Sequence, residues 1–260
     1  MGGSAGQARR HRGGLLDPAD LADPATKRPP GGAVIELHAH SIQHSLDSGV
    51  QPDAIVEQAI VRGLDGVCLT EHGGGWDKWD FQRFASQHPD LLLIRAMEVD
   101  TDMGHIIVYG LDAYISGIHR IEYLRKVVEE VDGFMVSVHP YRRFFEKPPL
   151  NKSLLFKYPV PLEEAVHHRI FALTDAVEIV NGACTLKEND FALQTANKLG
   201  KPTLGGSDAH STHGLGSGAT IFEREIRSQA DFIKELKAGR FHATDGLLNG
   251  HTSPFGSTPN

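Results

Sequence analysis

An α/β fold, in the form of one barrel of parallel strands, is what this sequence predicts, for three reasons. Short, wholly apolar runs alternate with segments of helical periodicity along most of the chain, the pattern of strands buried on both faces of a parallel sheet. Several of those runs end in His, Glu or Asp, as they would if successive strands delivered side chains to one mouth. The length, 260 residues with 40% hydrophobic content, suits a single barrel.

Element by element, Ala33-Val34-Ile35 opens a strand that leads into His38-Ala39-His40. Pro52 to Arg62 sets Ile55, Val56, Ala59 and Ile60 at helical spacing, with Pro52 in the first turn and Gly63 after the end. Val67 to Thr70 is a short buried strand that completes a β-α-β unit. Trp76 to Ser86 reads as a helix, Leu91 to Met97 as the third strand and His105 to Gly110 as the fourth, with the acidic turn Asp100-Thr101-Asp102 before it. His119 to Val131 carries Ile121, Leu124, Val127, Val128 and Val131 on one face, an amphipathic helix, and Phe134 to Val138 supplies a fifth strand. Arg142 to Pro161 mixes aromatic, basic and proline residues and is expected to form an insertion, a lid, over the carboxyl end of the barrel. Leu162 to Leu173 reads as a helix, Ala176 to Val180 as a strand, Glu188 to Leu199 as a helix stopped by Gly200, and Thr203-Leu204 as the start of a strand. Ala219 to Phe222 adds a short strand, Gln229 to Ala238 a last helix, and His251 to Asn260 a disordered end.

Residues 1–32 are rich in Gly, Pro, Arg and Asp and too poor in apolar groups to offset the entropy of ordering, so they read as a disordered tail. This leaves 33–245 as the catalytic domain and 246–260 as a C-terminal tail. A formal net charge of -7, with a sequence pI near 6.1, offers no broad basic field, and no stable nucleic-acid partner is expected. Cys68 and Cys184 are too few for a disulfide framework, which points to a reducing cytoplasm. No apolar segment approaches a membrane span and no signal peptide is legible, so a soluble, unexported protein with no membrane partner is expected.

The chemistry sits at the ends of the apolar runs. Alternate residues of a strand share a face, so His38 and His40 can reach one point from the same side, as two imidazoles on one metal ion must. Later runs end in Thr70-Glu71-His72, Ala96-Met97-Glu98, Gly104-His105, Val138-His139-Pro140 and Ser207-Asp208-Ala209-His210. Neutral imidazoles with carboxylates suit Zn, Mn and Fe. A lone histidine is more often a hydrogen-bonded structural residue, and His44, His88, His119, His167, His168, His213, His242 and His251 are read so. Arg142 and Arg143 could grip a phosphate as planar donor forks, although a solvated surface pair accounts for them equally well. Asn181 either orients a ligand or makes an Asn-Gly turn.

Taken together and in order, Leu37-His38-Ala39-His40, the run Gly63 to His72, Glu98, His139-Pro140, the run Val177 to Gly182 and Gly206-Ser207-Asp208-Ala209-His210 resemble the polymerase and histidinol phosphatase (PHP) superfamily, over roughly Val34 to Phe222. The resemblance implies a distorted (β/α)7 barrel of PHP type holding two or three divalent ions, Mn, Fe or Zn. By position it implies that His38, His40, Glu98 and Asp208 hold the first ion, and that Glu98 bridges to a second held by His139 and His105. A third falls to His72 and His210 with Asp47 or His44. Glu36 and Glu71 stand where the family commonly has Asp, at positions just behind the ligands. The implied activity is hydrolysis of a small phosphorylated metabolite or nucleotide by a metal-bound hydroxide. Glu98, His139, Asp208 and His210 would be its catalytic residues, with Arg142 and Arg143 binding the substrate. Histidinol phosphatase, a 5′-to-3′ exonuclease of short oligonucleotides and, from another class, a non-catalytic metal-stabilised module are the alternatives.

Overall fold

The computed structural model describes residues 31–146, 155, 156 and 158–257. In chain order the elements are β1 (Ala33–Ala39), α1 (Pro52–Val61), β2 (Gly66–Leu69), α2 (Lys78–Ser86), β3 (Leu92–Thr101), β4 (Gly104–Tyr109), α3 (Ile121–Glu130) and β5 (Phe134–Ser137). Then follow α4 (Leu162–Ala165), α5 (Ile170–Leu173), β6 (Ala176–Asn181), α6 (Leu186–Leu199), β7 (Thr203–Gly206), β8 (Ala219–Phe222), α7 (Gln229–Ala238) and β9 (Phe241–Thr244). Local chemistry sets several boundaries. Pro52 starts α1, Asp77 accepts from the Trp79 and Asp80 amides at the head of α2, and a Thr185–Glu188 capping box with Gly200 at φ 62 brackets α6.

The strands form one sheet in the order β7-β6-β5-β4-β3-β2-β1-β8-β9. Strands β1 to β7 make the barrel wall, which closes where Ala39 bridges Ala209 just beyond β7. There His40 N donates to Ala209 O at 3.0 Å and Ala209 N donates to His38 O at 3.3 Å. A Cβ on Gly206 would stand 2.4 Å from His38 Cβ, so glycine is what allows β7 to come this close to β1. Inside the wall, Leu37, Ile94, Ile107, Val136 and Leu204, from five different strands, belong to one buried cluster, and Tyr109 Oη donates across it to Leu37 O at 2.8 Å.

The α/β barrel expectation holds, with corrections. The sheet is not parallel throughout: β4 runs antiparallel to both β3 and β5. Only Asp102 and Met103 separate β3 from β4, and a link so short can make a hairpin but not a crossover. Strand β8 lies antiparallel on the first half of β1, and β9, a strand the short Phe-His-Ala-Thr run does not announce, lies antiparallel on β8. The helix expected over Leu162 to Leu173 is two single turns, α4 and α5. Of the disordered end, residues 251–257 instead dock: Phe255 N donates to Ala243 O at 2.8 Å and Phe255 packs against the core. The tail expected over 1–32 lies, up to residue 30, outside the described residues, as do 147–154 and 157 of the expected lid. The start of that insertion is anchored, since Tyr141 and Phe144 are fully buried and Tyr141 packs edge-on against Phe191 at 4.6 Å. Among the described residues, no helix is long and apolar enough to cross a membrane.

Candidate metal centre

The expected ligands meet at one mouth, although not all by the route the sequence suggests. His38 and His40 leave the end of β1, His72 follows β2, His139 follows β5, and Asp208 and His210 follow β7. Glu98 lies within β3, and His105 stands at the start of β4 rather than at a strand's carboxyl end. Because β4 runs antiparallel, its amino end faces the same mouth as its neighbours' carboxyl ends. His139 (φ 31) and Asp208 (φ 53) both occupy the left-handed region, a conformation non-glycine residues keep where the surroundings impose it, often at functional sites.

Glu98 is the hub. Its Oε1 lies 2.7 Å from His105 Nδ1 and 3.0 Å from His139 Nε2. Its Oε2 lies 3.1 Å from His40 Nε2, 3.4 Å from His38 Nε2 and 3.5 Å from His72 Nδ1. Asp208 Oδ1 stands 3.5 Å from Nε2 of both His38 and His40. Four overlapping sets, His38-His40-Glu98, His38-His139-Asp208, Glu98-His105-His139 and His40-His72-His210, each present donor atoms within 4.8 Å of one another. Asp47 Oδ2 joins the last set, 3.2 Å from His210 Nε2 and 3.6 Å from His72 Nε2. His44 instead sets its ring edge-on to Trp76 at 5.4 Å.

The donor set fits divalent transition ions. All donors are imidazole nitrogens or carboxylate oxygens, and His40 Nε2 is buried, with Glu98 nearby but no hydrogen-bond partner. The charges confirm how tightly these groups are pressed together. Burial by itself would depress His38 and His40, but the surrounding carboxylates outweigh it: Glu178, Asp208 and Glu98 hold His38 well above the ordinary imidazole value, and Asp208 and Glu98 hold His40 at about 9. Burial likewise works to raise Glu98 and Asp208, yet His38 and the neighbouring imidazoles hold both carboxyls below their ordinary values. Without a metal the cluster carries protons that an ion would have to displace.

Behind the donors stand three more buried carboxylates, Glu36, Glu71 and Glu178. Glu178 accepts from His38 Nδ1 and from the His139 amide, each at 2.8 Å, and from Asn181 Nδ2 at 2.9 Å. Asn181 Nδ2 also reaches Asp208 Oδ2 at 3.4 Å while Asn181 Oδ1 accepts from Ala183 N, so it both orients a candidate ligand and makes the turn. Glu71 accepts from the Ser41 amide and hydroxyl, from Ser45 Oγ at 2.6 Å and from Trp76 Nε1 at 3.2 Å, and Ser45 Oγ in turn meets His40 Nδ1 at 3.2 Å. Burial raises Glu36 to about 7 despite amide hydrogen bonds from His38, Ser207 and Gly216, and that carboxyl ties β1 to the segments after β7. The signal for Glu178 was its place in the run Val177 to Gly182: a charged residue inside an apolar strand is buried only with partners.

Arg142 Nη1 lies 3.1 Å from Asp208 Oδ2, at the edge of the donor cluster. Arg143 Nε lies 3.8 Å from Glu146 Oε1. Of the histidines read as structural, His88 faces Asp53 at 3.2 Å, His242 Nε2 meets Thr252 O at 3.0 Å, and His168 Nδ1 accepts from Ile170 N at 3.3 Å.

Known proteins share the family and the fold. A family model for the PHP domain matches residues 36–165, and one described as PHP-associated matches residues 187–241. An error-prone DNA polymerase of Nocardia farcinica is 40% identical over 52 residues, which amounts to 20% of this chain and 4% of the polymerase. Among solved structures, PsfC from Pseudomonas syringae superposes with a TM-score of 0.57 at 18% identity over 85% of this chain and 95% of its own. A two-domain protein from Bacteroides vulgatus, containing a predicted PHP-like metal-dependent phosphoesterase, superposes with a TM-score of 0.56 at 20% identity over 82% of this chain and 64% of its own. At these identities the superpositions establish a shared fold.

Proposed function

Since the chain belongs to the PHP family, of the metal-dependent phosphoesterase superfamily, we propose that it hydrolyses the phosphoester of a small phosphorylated metabolite or nucleotide with two or three divalent ions, Mn, Fe or Zn. The observation that carries this reading is Glu98, a buried carboxylate with imidazoles crowded against both of its oxygens. A carboxylate so surrounded can bridge two ions, and paired ions at such a site polarise a phosphoryl group and lower the pKa of a water.

In this reading His38, His40, Glu98 and Asp208 hold one ion, His105 and His139 join Glu98 on a second, and His72, His210 and Asp47 hold a third. Glu178 keeps the His38 proton on Nδ1, so that Nε2 is free to bind. Arg142, already beside Asp208, donates to an oxygen of the phosphoryl group. The wealth of donors favours an enzyme over a non-catalytic module, and the acidic balance of the chain favours a small substrate over a long nucleic acid. Both cysteines are free, consistent with a cytoplasmic site of action.

The test is metal analysis of protein purified without chelator, followed by a panel of phosphomonoesters, nucleoside bisphosphates, histidinol phosphate and short oligonucleotides with Mn, Fe or Zn. More than one ion per chain and turnover of a small ester are expected. One ion or fewer under metal-replete conditions, or no cleavage anywhere in the panel, sinks the proposal.

A further inference from the structure

The loop between β1 and α1 carries one candidate ligand, Asp47, and passes directly behind another, His40. Ser45 of this loop, like His40 and Glu71, is fully buried, and three groups converge on its hydroxyl. Its Oγ donates to Glu71 Oε2 at 2.6 Å, accepts from the His72 amide at 3.2 Å and lies 3.2 Å from His40 Nδ1. A serine hydroxyl has one proton and two lone pairs. With the proton given to Glu71 and one lone pair taken by the amide, the hydroxyl can only accept from His40 Nδ1. That holds the imidazole proton on Nδ1. It leaves Nε2, which has no hydrogen-bond partner, facing Glu98 Oε2 at 3.1 Å and Asp208 Oδ1 at 3.5 Å.

Glu71 sets the direction of that hydroxyl. Besides Ser45 it receives the Ser41 amide, the Ser41 hydroxyl and Trp76 Nε1, the last at 3.2 Å on Oε1. An indole N–H can only donate. Trp76 is itself held in place, its carbonyl accepting from the buried Arg95 Nη1 at 3.2 Å and its ring stacked on Phe84 with centroids 5.3 Å apart.

We propose that Ser45 and Glu71 are positioning residues for the metal centre. Glu71 orients the Ser45 hydroxyl, and Ser45 holds His40 in the tautomer that can bind an ion through Nε2 while tying the backbone of His72 to the loop that carries Asp47. The inference rests on the metal-centre reading of the donor cluster. Glu178 orients His38 by direct contact, whereas for His40 the carboxylate acts through a hydroxyl.

The experiment measures Zn affinity of the full chain by competition with a chromogenic chelator, with folding checked by circular dichroism. Glu71→Gln keeps the shape of the side chain. Because Trp76 can only donate, the glutamine keeps its oxygen on that side and turns its amide toward Ser45. The Ser45 hydroxyl must then donate to His40 Nδ1, which moves the imidazole proton onto Nε2. Affinity is expected to fall about a hundredfold in Glu71→Gln and about tenfold in Ser45→Ala. The double variant has no hydroxyl to reverse, so it recovers to the level of Ser45→Ala, whereas two merely structural losses would add. Wild-type affinity in Glu71→Gln, or a double variant that binds no better than Glu71→Gln, overturns the proposal. Should the Glu71 variants not fold, Ser45→Ala decides alone: a loss of about tenfold keeps the relay and wild-type affinity removes it. If the wild type binds no ion, the metal-centre reading falls separately, and long-range proton–nitrogen NMR of the neutral His40 ring decides. A proton on Nδ1 in the wild type and on Nε2 in Glu71→Gln keeps the relay; the same position in both removes it.

Discussion

Glu178 Oε1 and His38 Nδ1 lie 2.8 Å apart with both side chains fully buried, and the other oxygen of the same carboxylate accepts from the His139 amide. One residue on β6 thus fixes the ring of a candidate ligand on β1 and the strained backbone of another after β5. Glu178→Gln keeps the volume but turns an amide donor toward one of these donors. We expect metal affinity to fall about 10–100-fold, measured by competition with a chromogenic chelator, while far-ultraviolet circular dichroism stays that of the wild type. Unchanged affinity would reduce Glu178 to a structural acceptor.

Asp208 offers Oδ1 to His38 and His40 and Oδ2 to Arg142. Asp208→Asn removes the charge and little else. A loss of at least about a hundredfold in kcat, on the order of 2.7 kcal/mol, is expected for whichever ester the wild type cleaves. Equal turnover by the variant would move the chemistry away from this cluster.

The raised pKa of His40 has a direct thermodynamic consequence. Its folded value of about 9 lies above the ordinary 6.5, so in metal-free protein the charged imidazole stabilises the fold below about pH 6.5, and that contribution is lost as the pH climbs through 9. The change is on the order of 3 kcal/mol. Glu36, raised to about 7, acts over a lower window, chiefly between its ordinary value and neutrality. The Tm of metal-free protein should therefore decline between pH 7 and 9, while the increase in Tm on adding Zn or Mn grows as protons leave the imidazoles. A metal-free Tm that rises over this interval contradicts the protonated cluster.

Asp47 and His44 compete for the third position, and the distances favour Asp47. Asp47→Asn is expected to lower metal content toward two ions per chain, whereas His44→Gln leaves it at the wild-type level. Elemental analysis of the two variants decides, and the opposite pattern assigns the ligand to His44.

Gly206 tests barrel closure. An alanine there would put Cβ 2.4 Å from His38 Cβ and 2.9 Å from His38 N. Gly206→Ala should cost roughly 1–3 kcal/mol or more by overpacking, read by urea denaturation, with metal binding weakened because β1 is displaced. Wild-type stability would show that β7 can shift without disturbing β1.

Much of this protein was legible in its sequence because the relevant signals are local. Strand and helix periodicity announced the α/β barrel, and the run ends at His38, His40, His72, His139, Asp208 and His210 announced the donors, since a strand's direction determines where its last residues emerge. Tertiary structure decided what depends on residues distant in the chain. The hairpin at Asp102-Met103 reverses β4 and brings His105 to Glu98 from a strand's beginning. The approach of Gly206 to His38 closes the wall, and Glu178 finds two of its partners 140 and 39 positions away. Arg142 reaches Asp208, 66 positions away, while its neighbour Arg143 has its Nε 3.8 Å from Glu146 Oε1. Periodicity records which face of an element is apolar; which strand lies against it, and which buried charge meets which imidazole, follows only from packing.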